Sequence, residues 1–354
     1  MKKGLLSTLF PTPRSLAMPA LGVDISDRAI KYAAFSPHHY PKLAIFGEER
    51  ITPGVVEGGA INDQSALTEA LRRVKSKSKA DFVHAALPEE KAYVVEVDLP
   101  AGDSKLARET IELHLDEHIP LEPMSAIFEL ETIDSRKAAL SAIEQNLAED
   151  YYKVLNDAQL QPVSFELESH ALARALVPSG SLETCMIVDI GRNQSNLSII
   201  SGGLVRLAAS IDMGGDLFTK AIVDDLQVSP DEARGLKEEE GLLRRGRERS
   251  AYPSIVRVAT ILRDEIYQRF TYWNSAHKET SGHVDRVFIC GGNASIPGLA
   301  GYLGSEVDVA VSIGNPWVNV ASFDEFIPEI PAREALKYTT AIGLALRNYE
   351  PSPI

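Results

Sequence analysis

The stretch LGVDISDRAIKYAAF at Leu21–Phe35 is echoed in the second half of the chain by MIVDIGRNQSNLSII at Met186–Ile200. Each carries an apolar run, Val-Asp-Ile, a small residue (Ser26 or Gly191), a polar turn and a second apolar run. This reads twice as strand, turn, strand, and not as the strand, turn, helix of a dinucleotide fingerprint. Self-similarity of this kind predicts two related α/β halves closing over a cleft. The competing explanation is chance likeness between two buried strands.

Asp24 and Asp189 fall at the C-terminal ends of their first strands, where α/β folds gather ligands. The polar turns that follow expose backbone N–H groups suited to phosphate oxygens. Carboxylates at such ends suit Mg²⁺, which prefers oxygen ligands and keeps several waters. The bland alternative is that each Asp only forms its turn. A third motif, VFICGGNASIPGL at Val287–Leu299, runs a strand into Gly291-Gly292, where a backbone without side chains allows close approach to a flat ring or a ribose. A plain strand-to-helix turn would look the same.

The chain has 354 residues, 44% of them apolar, which predicts about two domains with substantial cores. Its net charge of −14, from 36 basic and 50 acidic residues, argues against a nonspecific nucleic-acid binder. Cys185 and Cys290 both sit in apolar runs and are expected as buried strand residues. No apolar run approaches the ~20 residues that span a bilayer. The opening MKKGLLSTLFPTPRSLAMPALG superficially resembles a secretory signal, but Pro11, Pro13, Arg14 and Ser15 interrupt it. It reads as a flexible lead over 1–18, able to touch a membrane or partner through Leu5, Leu6, Leu9 and Phe10.

Periodicity predicts helices over Asp63–Lys75, Ser104–His118, Glu144–Ala158, Gly215–Leu226, Ser254–Lys278 and Lys337–Arg347. A further helix is expected to start at Ser169 as its cap. Ser229-Pro230-Asp231-Glu232 is a strong helix start, with the cap, a proline in the first turn and two acids. Strands are expected at Asp81–Leu87, Tyr93–Leu99, Ala126–Ile133, Ala138–Ile143, Pro162–Leu167, Thr184–Gly191, Asn196–Ile200, Leu204–Ile211 and Arg286–Cys290. Gly202-Gly203 is a hairpin turn. His114 and His118 share a helical face without further ligands around them, so packing or surface roles are expected.

The three motifs, in this order, resemble the phosphate 1, phosphate 2 and adenosine motifs of the actin-like ATPase superfamily. More closely, the chain is similar to the PilM family of type IV pilus assembly, over nearly everything from Leu21 onward. ARETIELHLDEHIPLEP, AIFELETI, ASIDMGGDLFTKAIVDDLQVSPDEARGLK, ILRDEIYQRFTYW and AIGLAL carry that resemblance. It implies an FtsA-like α/β architecture: actin-like, two ribonuclease-H-like cores with inserted small subdomains around a nucleotide cleft. The first core would comprise 19–92, 161–183 and 326–354, with 93–160 inserted as a peptide-binding subdomain. The second would comprise 184–215 and 282–325, with the helical 216–281 inserted.

The resemblance also implies ATP and Mg²⁺ as cofactors. Asp24, Ser26, Asp27, Arg28 and Lys31 would form the first phosphate turn, although Lys31 would equally suit a solvent-facing position. Asp189, Gly191, Arg192, Asn193 and Ser195 would form the second, with Gly214 and Gly215 beside it. Gly291, Gly292 and Asn293 would lie along the adenosine, and Arg234 and Lys237 would stand near the nucleoside. Asp24 and Asp189 would hold Mg²⁺ through nucleotide or water. Ser26, Arg192 and Arg234 depart from the family's pattern, the two arginines either adding cationic contacts or filling a degenerate pocket. No catalytic acid stands out; Glu112 and Glu265 read as structural or partner-facing. The family further implies a cytoplasmic protein on the inner face of the inner membrane, attached through the N-terminal peptide of a PilN-like protein. That peptide would lie beside Tyr93–Leu99, the Ile111–His118 helix and Ala126. Pilus motor or platform proteins and a homo-oligomer are further partner options. An active ATPase, a sugar or metabolite kinase and an FtsA-like filament are the alternative functions.

Overall fold

The two-residue turn Asp27-Arg28 sets the register of the opening hairpin, formed by Leu21–Ser26 (β1) and Ala29–Ser36 (β2). Ser26 therefore pairs with Ala29, and Asp24 with Lys31. The computed structural model of the chain describes residues 19–36, 41–100, 104–243, 250–278, 282–320 and 327–349. The lead expected over 1–18 lies outside them.

Lys42–Arg50 (β3) continues the sheet, and Val56–Glu57 (β4) with Ala60–Ile61 (β5) makes a separate small hairpin. Phe82–Leu87 (β6) is followed by Ala92–Asp98 (β7), Ala126–Thr132 (β8), Lys137–Glu144 (β9) and Gln161–Leu167 (β10). The second half contributes Cys185–Ile190 (β11), Ser195–Ser201 (β12), Leu204–Ile211 (β13), Arg286–Cys290 (β14) and Ala310–Ile313 (β15).

The first sheet has the order β10-β6-β1-β2-β3, with β1–β2 and β2–β3 antiparallel and β1–β6 and β6–β10 parallel. Strands β15-β14-β11-β12-β13 repeat this order and every pairing direction. The echo between Leu21–Phe35 and Met186–Ile200 is thus the leading hairpin of two equivalent sheets. β15 had no counterpart in the strands expected from sequence, because its four residues are mostly exposed and lack an apolar run.

The second sheet extends beyond β13 through β7-β9-β8, joined by the pair Ala208 and Val94. This appended sheet buries apolar side chains on both faces. Val97, Ala138, Leu140 and Ala142 pack with Ile111, Leu115 and Ile119. On the other face, Val94 and Ile143 join the core of the first sheet. The helix Gln145–Asp157, expected within the insertion, instead buries Tyr151, Val154 and Leu155 with Leu67 and Leu71 in that first core. The helices Gly215–Leu226 and Tyr252–Ala276 likewise share one continuous core with β11, β12 and β14 through Phe218, Ile222, Ile255, Leu262 and Ile266.

Local expectations hold at Asp63, whose side chain accepts from Ala66 N, and at Ser229, which accepts from Glu232 N. Three expectations are corrected. The helix from Ser104 breaks at His114 and resumes over Leu115–His118. Ser169 is not a cap: the helix runs Glu168–Leu176, and Ser169 is held inside it by Glu89. The closing helix starts only at Thr339, after a 3₁₀ turn at Leu336–Tyr338. Cys185 and Cys290 are buried as expected.

The closing helix Thr339–Leu346 is wedged between β1 and the helix Glu168–Leu176. A Cβ on Gly22 would stand 2.2 Å from Ala341 O, and one on Gly343 would stand 1.9 Å from Ala171 O. Both backbones approach more closely than any side chain allows, so Gly343→Ala should destabilise the fold by about 3 kcal/mol. Urea unfolding should show a lowered midpoint with an unchanged slope.

Candidate functional site

Asp24 is buried at the end of β1, and its Oδ2 accepts from Lys31 Nζ at 3.1 Å. Their direct pairing in the hairpin register puts both side chains on one face of the sheet. Burial works against the Lys31 charge, but the carboxylates of Asp24 and Asp189 hold its pKa above the ordinary lysine value. Lys31 therefore sits between the two halves and does not face solvent alone. Asp189, the equivalent residue on β11, has its pKa pushed up to about 6 by burial, with Lys31 lowering it and Asp24 raising it.

The two turns meet directly. Asn193 Nδ2 donates to Asp27 Oδ2 at 2.5 Å. Within the first turn, Ser26 Oγ donates to Ala29 O. Ser195 is fully buried and donates to Met213 O at 2.6 Å, so it braces the second turn from inside. Arg28 shows only a backbone role, its carbonyl accepting from Ile51 N.

Behind the second turn, the N-terminus of the helix Gly215–Leu226 is tied to it through Gly215 N to Gly191 O and Asp216 N to Arg192 O. Gly214 and Gly215 are buried. Lys237 is buried, donating to Gly215 O at 3.1 Å and Asn293 Oδ1 at 2.9 Å. Asn293 Nδ2 in turn donates to Gly191 O at 2.8 Å. Lys237 thus ties the third motif to the second turn. Burial lowers its pKa, with Arg192 and Arg234 acting in the same direction. Gly291 has a φ of +83°, and a Cβ there would stand 2.1 Å from Asp189 Oδ1. Glycine is required on both counts. Gly292 is exposed beside it. Arg192 pairs with Asp216 and Arg234 with Asp231, all four side chains being partly or largely exposed. Each arginine is thus held in an exposed ion pair.

The structure adds acids absent from the sequence motifs. Glu168 opens its helix directly after β10, the outermost parallel strand of the first sheet, and accepts from Asn196 Nδ2 at 3.0 Å. Burial, then the charges of Glu90, Asp24 and Asp189, push its pKa well above the usual carboxylate value. Glu90 is also raised, by burial and by the charge of Asp27. Glu168 and Glu90 lie far in sequence from the aspartates, and neither belongs to a local motif. The one available signal was position, since Glu168 follows a strand end as Asp24 and Asp189 do. Glu112 and Glu265 play no part here; Glu265 pairs with Arg269 on its own helix. A separate depression of about 660 Å³, along Tyr267–Ala276, is lined by no charged side chain.

Two equivalent α/β halves, each aiming a carboxylate and a polar turn at one cleft, define the fold of the actin-like ATPases. Residues 22–349 match the family described as type IV pilus assembly protein PilM, and the chain belongs to it. Among solved structures, it is similar to a PilM–PilN type IV pilus biogenesis complex at 21% identity and a TM-score of 0.78, covering 95% of this chain and 100% of that one. It also resembles the ethanolamine utilization protein EutJ from Carboxydothermus hydrogenoformans (18% identity, TM-score 0.54, 94% and 93% covered). MreB5 of Spiroplasma citri bound to ADP matches at 14% identity and a TM-score of 0.53, with 94% and 95% covered.

The raised Asp189 has a consequence for stability. Its folded pKa of about 6 exceeds the 3.8 of a free Asp, so the native state binds the extra proton between these values. Stability from this group is thus lost as pH rises through that window. Asp189→Asn should stabilise the protein by roughly 1–3 kcal/mol at pH 7.5, and the gain should vanish by about pH 4. Urea titrations at the two pH values measure it.

Proposed function

We propose that this chain is the cytoplasmic actin-like component of a type IV pilus inner-membrane assembly platform. It binds ATP with Mg²⁺ between two ribonuclease-H-like cores and docks the N-terminal peptide of a PilN-like protein on its appended sheet. The observation that carries the nucleotide reading is the convergence of Asp24 and Asp189, one from each half, on Lys31. Membership of the PilM family supports the pilus assignment. Among the described residues no helix is long and apolar enough to cross a membrane, so attachment to the membrane face runs through the partner in this reading.

The residues suit the cofactors. Asp24 and Asp189 are hard oxygen donors, and a divalent cation nearby would offset the burial, and with it the Asp24 repulsion, that raise Asp189. Mg²⁺ bound there would neutralise charge on the phosphates. Lys31 would be redirected from Asp24 toward a phosphate oxygen. The turn at Gly191–Gln194 would supply backbone N–H groups, and exposed Gly292 would leave space for the nucleoside. Nucleotide entry would compete with the Asn193–Asp27 hydrogen bond.

The partner reading rests on the appended sheet. β8 is its outermost strand, so among the described residues one of its edges has no partner strand, the kind of edge an extended peptide can join. Leu113, Met124 and Ile127 are exposed around it. The division of the chain follows the same reading, with the helix Gln145–Asp157 moving with the first core that it packs against.

A second reading, an active ATPase, is favoured by Glu168. A carboxylate with a raised pKa beside the two aspartates can accept the proton of an attacking water. Alanine at Asp24 or Asp189 should weaken Mg-ATP binding at least ~10-fold by calorimetry, a loss of about 1.4 kcal/mol. Glu168→Gln should cut steady-state phosphate release by about 100-fold while leaving nucleotide affinity within about threefold. Unaltered release would remove Glu168 from the reaction. For the partner, Ile127→Asp should weaken binding of a PilN-like N-terminal peptide by ~10-fold, read by fluorescence anisotropy.

A further inference from the structure

The first turn of the helix Glu168–Leu176 sends three consecutive side chains to three different parts of the molecule. Glu168 meets Asn196 of β12 and the cleft acids. Ser169 is buried, its N–H and Oγ donating to the two carboxylate oxygens of Glu89 at 2.8 and 2.9 Å. His170 Nε2 lies 3.5 Å from Glu131 Oε2 on β8. One helical turn therefore touches the second half, the segment leading into β7 and the outermost strand of the appended sheet.

The His170 contact is unusually dependent on Glu131. Its Nδ1 is buried without a hydrogen-bond partner among the described residues, so Glu131 is the polar contact that orients the ring. The rest of the turn is rigidly held. Glu89 fixes Ser169 from a buried position, and one turn on Arg174 makes two hydrogen bonds to Glu166, at 2.6 and 2.9 Å, and a third to Gly343 O. A shift of β8 relative to the core can reach this turn through the Glu131–His170 pair, and the stiff turn would carry it two residues back to Glu168. The appended sheet itself meets β13 through one register pair, Ala208 with Val94.

We infer that His170, through Glu131, is a positioning residue that couples β8 to the cleft end of this helix, so that nucleotide occupancy changes the exposure of the β8 edge. The inference deepens the proposed function and rests on its nucleotide site. Linkage makes the effect reciprocal: anything that pairs with β8 changes nucleotide affinity by the same factor.

Hydrogen exchange of the full chain, with and without saturating Mg-ADP, tests this. In the parent protein, Mg-ADP should change the exchange rates of Ala126–Thr132 amides by about fivefold. His170→Leu should abolish that change while Mg-ADP affinity, measured by calorimetry, stays within about threefold. His170→Gln, whose amide nitrogen can occupy the Nε2 position, should restore it, and Glu131→Ala should abolish it from the other side. A response of β8 that persists in His170→Leu, or no response in the parent with Mg-ADP bound, overturns the inference alone. Failure of Mg-ADP to bind removes the nucleotide reading as well. A merely structural role for His170 would raise exchange of β8 in both ligand states and leave the ligand-dependent difference intact, which also counts against the coupling.

Discussion

A single ammonium group, Lys31, stands among carboxylates that come from both halves of the molecule. Asp24 reaches it by hairpin register, Asp189 by the meeting of the two sheets, and Glu168 from the helix after β10. Burial first, and the neighbouring acids second, raise the pKa values of Asp189 and Glu168. Such an arrangement opposes folding unless something else holds it together. It also favours a divalent cation, which is the physical support for the proposed Mg²⁺.

The holding is done by apolar packing and by close backbone contact. The closing helix has an all-buried surface and lies against β1 at Gly22 and against the Glu168 helix at Gly343. Its end is pinned by polar bonds: Asn348 exchanges hydrogen bonds with both backbone groups of Ala20, and Arg347 joins Arg174 on Glu166. Burial works against the Glu166 charge, but the two guanidiniums keep its pKa below the usual carboxylate value. The strand bearing Asp24 and the helix bearing Glu168 are thereby fixed to the same element. The acids cannot separate without breaking a packed core, so the site is preorganised by groups that never face it.

The appended sheet is bound differently. It shares a core with the first half on one face, closes a small core of its own on the other, and meets the second sheet through one residue pair. At that seam Glu96 pairs with Arg206, His277 and Lys137, a charged junction between β7, β13, β9 and the end of the long helix. Ionic and single-pair contacts permit small rotations that a ladder of strand hydrogen bonds would forbid.

Much of this was legible in the sequence because it is local. The Val-Asp-Ile echo identified two equivalent hairpins, and Ser229 marked its helix start as a cap, whereas the pairing of Asp24 with Lys31 came only from the hairpin register of the fold. The Gly291-Gly292 pair read as room for a ring or ribose; the structure shows Gly291 packed against Asp189, a contact that spacing could not reveal. Spacing could not reveal which elements share a core, so the helix Gln145–Asp157 read as part of an insertion although it packs with the first sheet. Nor could it show that Arg192 and Arg234 turn outward to Asp216 and Asp231, or that Ser195 points inward. Glu168 and His170 escaped for the same reason. Their chemistry depends on neighbours distant in the chain, and burial and through-space charge are properties of the assembled fold. The sequence by itself determined the strands, turns and paired aspartates; the tertiary structure alone decided which charges meet, because only packing brings the two halves and the appended sheet to one helical turn.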